Sequence, residues 1–426
     1  MTAVGVPGRA PALARRIAAR HFYGWVVAVS CLAMMFVTVG VGYYGQSVFL
    51  KPLKLEHGWS SSVVNAASGL YFALSGVAGF VVGRHIDRRG AVPFLAFGIV
   101  ATGFAVAGLG LVEHEWQLFA VYAAMAIAYG VGAALPISSM LSRWFIRSRA
   151  KATSISSTGV SLGGAILVPV GTSLIEAHGL ATAAPILGAL VVVVALPVLL
   201  IVVVPDPALV GQEPDGGPGP ASAATPRRMG DQYRVWTRND AMSTGSFWAL
   251  LIGFTLALAA QTAVLINQQT FLSDPDKLGS LSAAALAVTT TTVGSIVARL
   301  AMGQIADSLD KRWVTVGLFA LQGLAIALYT IAGSNWSIYV VATVFGFTIG
   351  NVYMMQSLLV GELFGITSFA TVYSVIALAG QLGSAAGMFF IGWARDASGS
   401  YTMPFLVLAG VNLTAAVVVS RAKPLD

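Results

Sequence analysis

Arg299 is the one charged side chain placed inside a long apolar run, Leu281 to Gln304. The other 23 of the 24 Lys+Arg, and all 17 Asp+Glu, fall in termini, in loops or at the ends of apolar segments. An ionised group within a bilayer costs roughly 2.5 kcal/mol or more, so it is normally turned toward a bundle interior or a water-filled cavity. A lone guanidinium there suits an anion, because its planar fork of N–H donors matches a carboxylate. The alternative is structural. Arg299 lies two helical turns before Asp307, and its aliphatic stem can lift the charge to the headgroups.

Neutral polar residues complete the chemistry available in the apolar runs. Tyr44, Gln46, Tyr129, Asn267, Tyr353 and Gln381 can each donate to a carboxylate or hydroxyl. Asn267 belongs to the cluster Ile266-Asn267-Gln268-Gln269-Thr270, which does not suit a lipid-facing surface. Tyr122 joins the set with an interfacial or packing role as its alternative. Catalysis finds no such support. All five histidines (His21, His57, His85, His114, His178) lie in loops or at segment ends, and Cys31 is the only cysteine. With no H-E-x-x-H, no paired intramembrane carboxylates and no phosphate-binding G-x-x-x-x-G-K-[ST], the expectation is no enzyme, no metal and no cofactor.

The elements that must position these residues are membrane spans. The chain is 57% hydrophobic and 10% charged, with a mean hydropathy of +0.80. Apolar runs occupy 22–45, 61–83, 92–112, 117–141, 152–175, 181–204, 245–271, 280–304, 313–332, 335–361, 368–393 and 402–420. These twelve segments each approach the length that crosses a bilayer, which predicts an all-α polytopic protein. With the N-terminus inside, 19 Lys+Arg are cytoplasmic and four (Lys51, Lys54, Lys277, Arg395) are outside. That asymmetry predicts cytoplasmic termini and a plasma (inner) membrane location. The pI of about 9.6 is thus a topology signal and not a nucleic-acid footprint. The run behind the basic residues 1–21 is too long for a signal-peptide core, so it is expected to be retained.

Residues 205–243 are rich in Pro, Gly and charge and lack apolar periodicity, with an amphipathic piece around Tyr233 to Trp236. The organisation expected is a basic segment 1–21, a six-helix bundle 22–204, a linker 205–243, a second bundle 244–420 and a tail 421–426. The halves echo one another. Gly83 recurs as Gly303, Asp87 as Asp307 and Gly163 as Gly383, all at one constant spacing, and Phe145 recurs as Phe364 one position short of it. Gly171 to Gly179 (GTSLIEAHG) also parallels Gly392 to Gly399 (GWARDASG). Gly40, Gly42 and Gly45 in span 1 predict a discontinuity, as does span 7, and Gly159/Gly163 and Gly380/Gly383/Gly387 predict close helix crossings.

This pattern resembles the major facilitator superfamily over nearly the whole chain: twelve spans, a central loop, and G-x-x-x-D-R-x-G after span 2 (Gly83, Asp87, Arg88, Gly90). The copy after span 8 keeps Gly303 and Asp307 but has Ser308 and Asp310 in place of Arg and Gly. The resemblance implies a cytoplasmic latch made by Gly83, Asp87, Arg88, Arg149, Gly303 and Asp307. It also implies that spans 1, 4, 7 and 10 line the cavity, which raises Tyr129 and Tyr353. Tyr23-Gly24-Trp25, Gly42-Tyr43-Tyr44-Gly45, Glu56-His57-Gly58-Trp59-Ser60 and Ala298-Arg299-Leu300-Ala301-Met302-Gly303 are similar to the monocarboxylate transporter and oxalate/formate antiporter branch. There the span 8 arginine is implied to bind substrate.

Two departures bear on the substrate. Span 1 has no lysine before Lys51, and Ser295 stands one turn before Arg299 where animal monocarboxylate carriers have an acid. No Lys or Arg lies between Glu362 and Arg395, where the oxalate type has a second cation; Gln381 is near that place. One cation balances one carboxylate, and a dicarboxylate would leave a buried charge uncompensated. The expected function is alternating-access transport of lactate- or pyruvate-like monocarboxylates by a monomer in the lipid bilayer, with symport of protons, uniport and exchange all open. The alternatives are an anion antiporter, an exporter of another small organic molecule, and a non-transporting sensor on the same fold.

Overall fold

Hydrocarbon offers no partner to a backbone N–H or C=O, so each apolar run satisfies its own backbone by becoming a helix. The structure, a computed structural model, describes residues 12–145, 147–215, 238–305, 309–364 and 369–422. Its spanning helices are α1 Gly24–His57, α2 Ser61–Arg89, α3 Val92–Gly108, α4 Glu115–Gly132 (continued by Ala134–Trp144), α5 Arg149–His178 and α6 Leu180–Pro197. The second half follows with α7 Gly245–Leu272, α8 Leu281–Ile305, α9 Lys311–Ile331, α10 Asn335–Phe364, α11 Phe369–Ser398 and α12 Thr402–Val419. With twelve spanning helices, the two ends of the described chain lie on one face, here the termini face; the opposite one is the distal face.

The two halves pack alike. In the first, α1 packs on α5, α2 on α4 and α3 on α6; in the second, α7 packs on α11, α8 on α10 and α9 on α12. Small residues set these crossings. A Cβ on Gly130 would run into the Ser75 carbonyl, and one on Gly350, its counterpart in the second half, would sit 2.6 Å from the Ser295 carbonyl. Gly159 and Gly163 press likewise on Leu32 and Phe36, and Gly383 and Gly387 on Thr255 and Ala259. These backbone-to-backbone approaches are what small residues make possible where lipid supplies no hydrophobic drive. The halves meet along α2 against α11 and α5 against α8.

Three features depart from the sequence reading. The span 1 glycines do break the helix, since Gly40–Tyr44 is a π-helical turn. By contrast α7 is uninterrupted, because no Gly or Pro occurs between Gly253 and Leu272. Second, α1 continues past residue 45 to His57, carrying Lys51 and Lys54 within a helix. Third, the start of the linker is ordered: Trp144 Nε1 donates to the Val204 carbonyl, and the Asp215 carboxylate accepts from the Arg147 and Ser148 N–H groups. Residues 216–237, with the segment around Tyr233 to Trp236, lie outside the described residues. So does Asp307, and so do the side chains of Asp87, Arg88 and Arg149 and the surroundings of Gly83 and Gly303.

Candidate substrate site between the two halves

Arg299 leaves α8 toward the seam between the halves. Its Nε donates to the Gly350 carbonyl on α10 at 3.2 Å, and Nη1 donates across the seam to the Ser157 carbonyl on α5 at 3.1 Å. The guanidinium is therefore held against backbone carbonyls of both halves. Among the described residues no carboxylate pairs with it. Carbonyl dipoles solvate a cation without neutralising it, so one positive charge remains for an anion to balance. The pocket for this side chain arises from the repeat. Gly79 holds the equivalent place in α2, where a Cβ would lie 3.3 Å from the Gly130 carbonyl. Both crossings present a glycine carbonyl, and only the second meets it with an arginine.

One tyrosine faces this cation, and a chain of further tyrosines extends from it. Tyr44, in the π turn of α1, lies within electrostatic reach of Arg299. Its ring packs over Gly164 of α5, beside Thr292 of α8. Tyr43 packs edge-on against Tyr44 at 5.3 Å and stacks with Tyr129 of α4 at 6.4 Å; Tyr129 also meets Tyr71 of α2 at 5.5 Å. Tyr353 of α10 neighbours Tyr129 and Tyr44 from the other half, yet 39% of it is exposed. A side chain that faces the opposite bundle and still meets solvent marks an opening between the halves. Tyr353 lies nearer the termini-face end of α10 than its distal end, so the opening is on that side.

The distal side of the seam is closed. Residues Val41 to Leu50 of α1 and Gln261 to Leu272 of α7 are entirely buried. Asn267 Nδ2 donates to Asn65 Oδ1 of α2 at 2.8 Å, Gln269 Nε2 to Thr172 Oγ1 of α5 at 2.8 Å, and Lys51 Nζ to Ser273 Oγ at 2.7 Å. In the loop after α7, burial raises the Asp274 carboxyl above its ordinary pKa against the opposing pull of Lys51 and Arg395.

Of the expected site residues, Tyr44 lies within electrostatic reach of Arg299, and Tyr129 and Tyr353 lie within reach of Tyr44. Gln46 is wholly buried just beyond the π turn, with neither amide atom partnered among the described residues. Asn267 ties the distal seam, and its Oδ1 is likewise unpartnered there. Gln381 packs in the α2–α11 contact, its Cβ 3.1 Å from where a Cβ on Gly76 would lie. Tyr122 stands apart, fully buried within the first half beside Ser68. The sequence reading did not single out Tyr43, Tyr71 or Asn65 as site residues, although all three carried the polar-in-apolar signal. The Ser157 and Gly350 carbonyls had no signal to give, since a backbone acceptor leaves no mark in residue type.

Two repeated six-helix bundles around a polar seam, closed on one face, are the architecture of an alternating-access membrane transporter. The chain belongs to the Major Facilitator Superfamily, whose profile matches residues 30–276 and 270–426. It is 25% identical to rat Monocarboxylate transporter 13 over 74% of this chain and 71% of that protein. It is 26% identical to mouse Monocarboxylate transporter 11 over 94% and 88%. A bacterial homologue of the human lysosomal transporter Spinster, in an inward-facing and unoccupied conformation, superposes with a TM-score of 0.65 at 16% identity, covering 95% of this chain and 96% of that one. The chain is thus a multi-pass integral membrane transporter of a small-molecule substrate.

Proposed function

We propose that this protein moves small monocarboxylate anions, of lactate or pyruvate size, by alternating access. The observation that carries the reading is the guanidinium of Arg299, anchored to carbonyls of both halves with no carboxylate partner among the described residues. One carboxylate makes a neutral pair with it, and a dicarboxylate leaves a net charge in low dielectric. Tyr44, Tyr129 and Tyr353 supply hydroxyls to the rest of the substrate, with Gln46, Asn267 and Gln381 beyond them. The relatives named as monocarboxylate transporters support the same class. The Lys/Arg asymmetry supports a plasma (inner) membrane orientation with cytoplasmic termini, so that the closed distal face is the outer one. With no Asp, Glu or His at mid-depth of a span, a transported proton would have to travel on the substrate's own carboxyl beside Arg299.

The test is uptake of labelled lactate, pyruvate and oxalate by purified protein in liposomes, with and without a pH gradient. Arg299→Ala should weaken binding of the monoanion by about 30-fold or more, near 2 kcal/mol, and abolish its uptake. Arg299→Lys should recover little, because a point charge does not reproduce the planar fork. Wild-type uptake by the alanine variant, or preference of the unmodified protein for oxalate, would remove the reading.

A further inference from the structure

The repeated segments GTSLIEAHG and GWARDASG end α5 and α11, and they place two carboxylates, Glu176 and Asp396, at the same spacing that relates Gly83 to Gly303. Both segments finish on a left-handed glycine, Gly179 at φ +76° and Gly399 at φ +71°, so the two helix ends are built alike. Each carboxylate reaches out of its own half. Asp396 accepts from the backbone N–H groups of Ser61 at 2.9 Å and Ser62 at 2.6 Å, the first two residues of α2. Glu176 accepts from the Ser282 hydroxyl in the first turn of α8. Ser62 and Ser282 are themselves repeat equivalents, and the receiving helix starts match: the Ser60 hydroxyl accepts from Val63 N–H, and the Ser280 hydroxyl from Ala283 N–H.

We propose that Glu176 and Asp396 are a symmetry-related pair of gate residues that hold the distal face shut, Asp396 capping the first turn of α2 and Glu176 holding the Ser282 hydroxyl in the first turn of α8. The reading stands apart from the choice of substrate, since it concerns only how the halves close. The first N–H groups of a helix lack intrahelical partners and carry the positive end of its dipole, so a carboxylate is the group they hold best. Here that stabilisation exists only while the halves touch. Both carboxylates are exposed even in the closed seam, so opening the distal face loses only these contacts, which makes the pair a bias on the closed state and not a permanent tie. The two caps are unequal for a visible reason. Gly392 lets α11 come against α2 so closely that a Cβ there would sit 2.8 Å from the Ser61 carbonyl. The equivalent place in α5 is Thr172, which is engaged with Gln269. Asp396 therefore reaches backbone, while Glu176 reaches a hydroxyl.

Accessibility of the distal seam reads the gate without any transported substrate. In a Cys31→Ser background, Thr270→Cys places a single thiol at a position now 5% exposed, and a membrane-impermeant maleimide reports how often it is uncovered. Losing a charge-assisted cap at a helix start should raise the labelling rate about tenfold for Asp396→Ala, less for Asp396→Asn, and about threefold for Glu176→Gln. Thermal unfolding of the purified variants should stay near that of the parent. Glu176 is solvent-exposed, so Glu176→Gln remains a valid test should Asp396→Ala fail to fold. Labelling at the parent rate in folded Asp396→Asn and Glu176→Gln would overturn the proposal. Because the assay needs no substrate, that result would leave the monocarboxylate reading untouched.

Discussion

Gln46 shows at the scale of one side chain how a binding role separates from a packing role. Its amide is wholly buried in the distal part of α1, and neither atom finds a partner among the described residues. An unsatisfied buried amide costs roughly 1–3 kcal/mol, so a residue kept there for packing alone would be better replaced by an apolar one. Gln46→Met keeps the length and removes the polar atoms. Thermal stability in detergent should be equal or higher, while carboxylate uptake falls severalfold. The opposite pattern, lower stability with unchanged uptake, would assign Gln46 to the core. Arg299 obeys the same logic with the sign of a charge. Its two carbonyl acceptors make the cation tolerable, and only an anion makes it neutral.

Among the elements, the crossing of α8 and α10 decides where that cation points. The Gly350 carbonyl accepts from Arg299 Nε, and the same glycine admits the Ser295 backbone. Gly350→Ala puts a methyl 2.6 Å from the Ser295 carbonyl, which forces the helices apart. Such overpacking costs about 1–3 kcal/mol. Uptake should therefore fall together with stability. Gly79→Ala, at the place in the first half that corresponds to Arg299, meets the Gly130 carbonyl at 3.3 Å and should be nearly neutral in both measurements. Equal effects from the two would mean that the α8–α10 crossing has no special hold on the arginine. These elements were legible in the sequence because hydrocarbon demands long apolar helices, and the glycine spacing marked which faces touch. The length of α1 was not legible. Lys51 and Lys54 look like loop residues until their partners, Ser273 after α7 and Ser61 of α2, are brought beside them. The same limit hid the role of GTSLIEAHG and GWARDASG, whose carboxylates have meaning only against helix starts in the other half. Arg299 itself stood out because a charge in an apolar run needs a reason, whereas the carbonyls that seat it are identical in every residue.

At the scale of the whole molecule, the conformation seen here has a sealed distal seam and an opening toward the termini face, and transport requires the reverse arrangement in turn. Every distal tie joins α1, α2 or α5 of one half to α7, α8 or α11 of the other, or to the loop after α7, so one covalent link across that seam should arrest the cycle. Gly392 and Asn65 offer the place: a Cβ on Gly392 would lie 2.8 Å from the Asn65 Cβ. A disulfide needs about 3.8 Å between those atoms, so the helices must part by only about 1 Å. In a Cys31→Ser background, oxidising the Asn65→Cys/Gly392→Cys pair should bring uptake in liposomes down to background, and reductant should restore it. Binding of substrate offered at the termini face should persist in the oxidised protein, because Arg299, Tyr44, Tyr129 and Tyr353 remain on the open side of the link. Transport by fully cross-linked protein at the reduced rate would mean that the distal seam does not open during the cycle, and alternating access about this seam would have to be abandoned. Loss of binding as well as transport would instead mean that the site reaches the distal side of the link, with Gln46 and Asn267 as its contacts there.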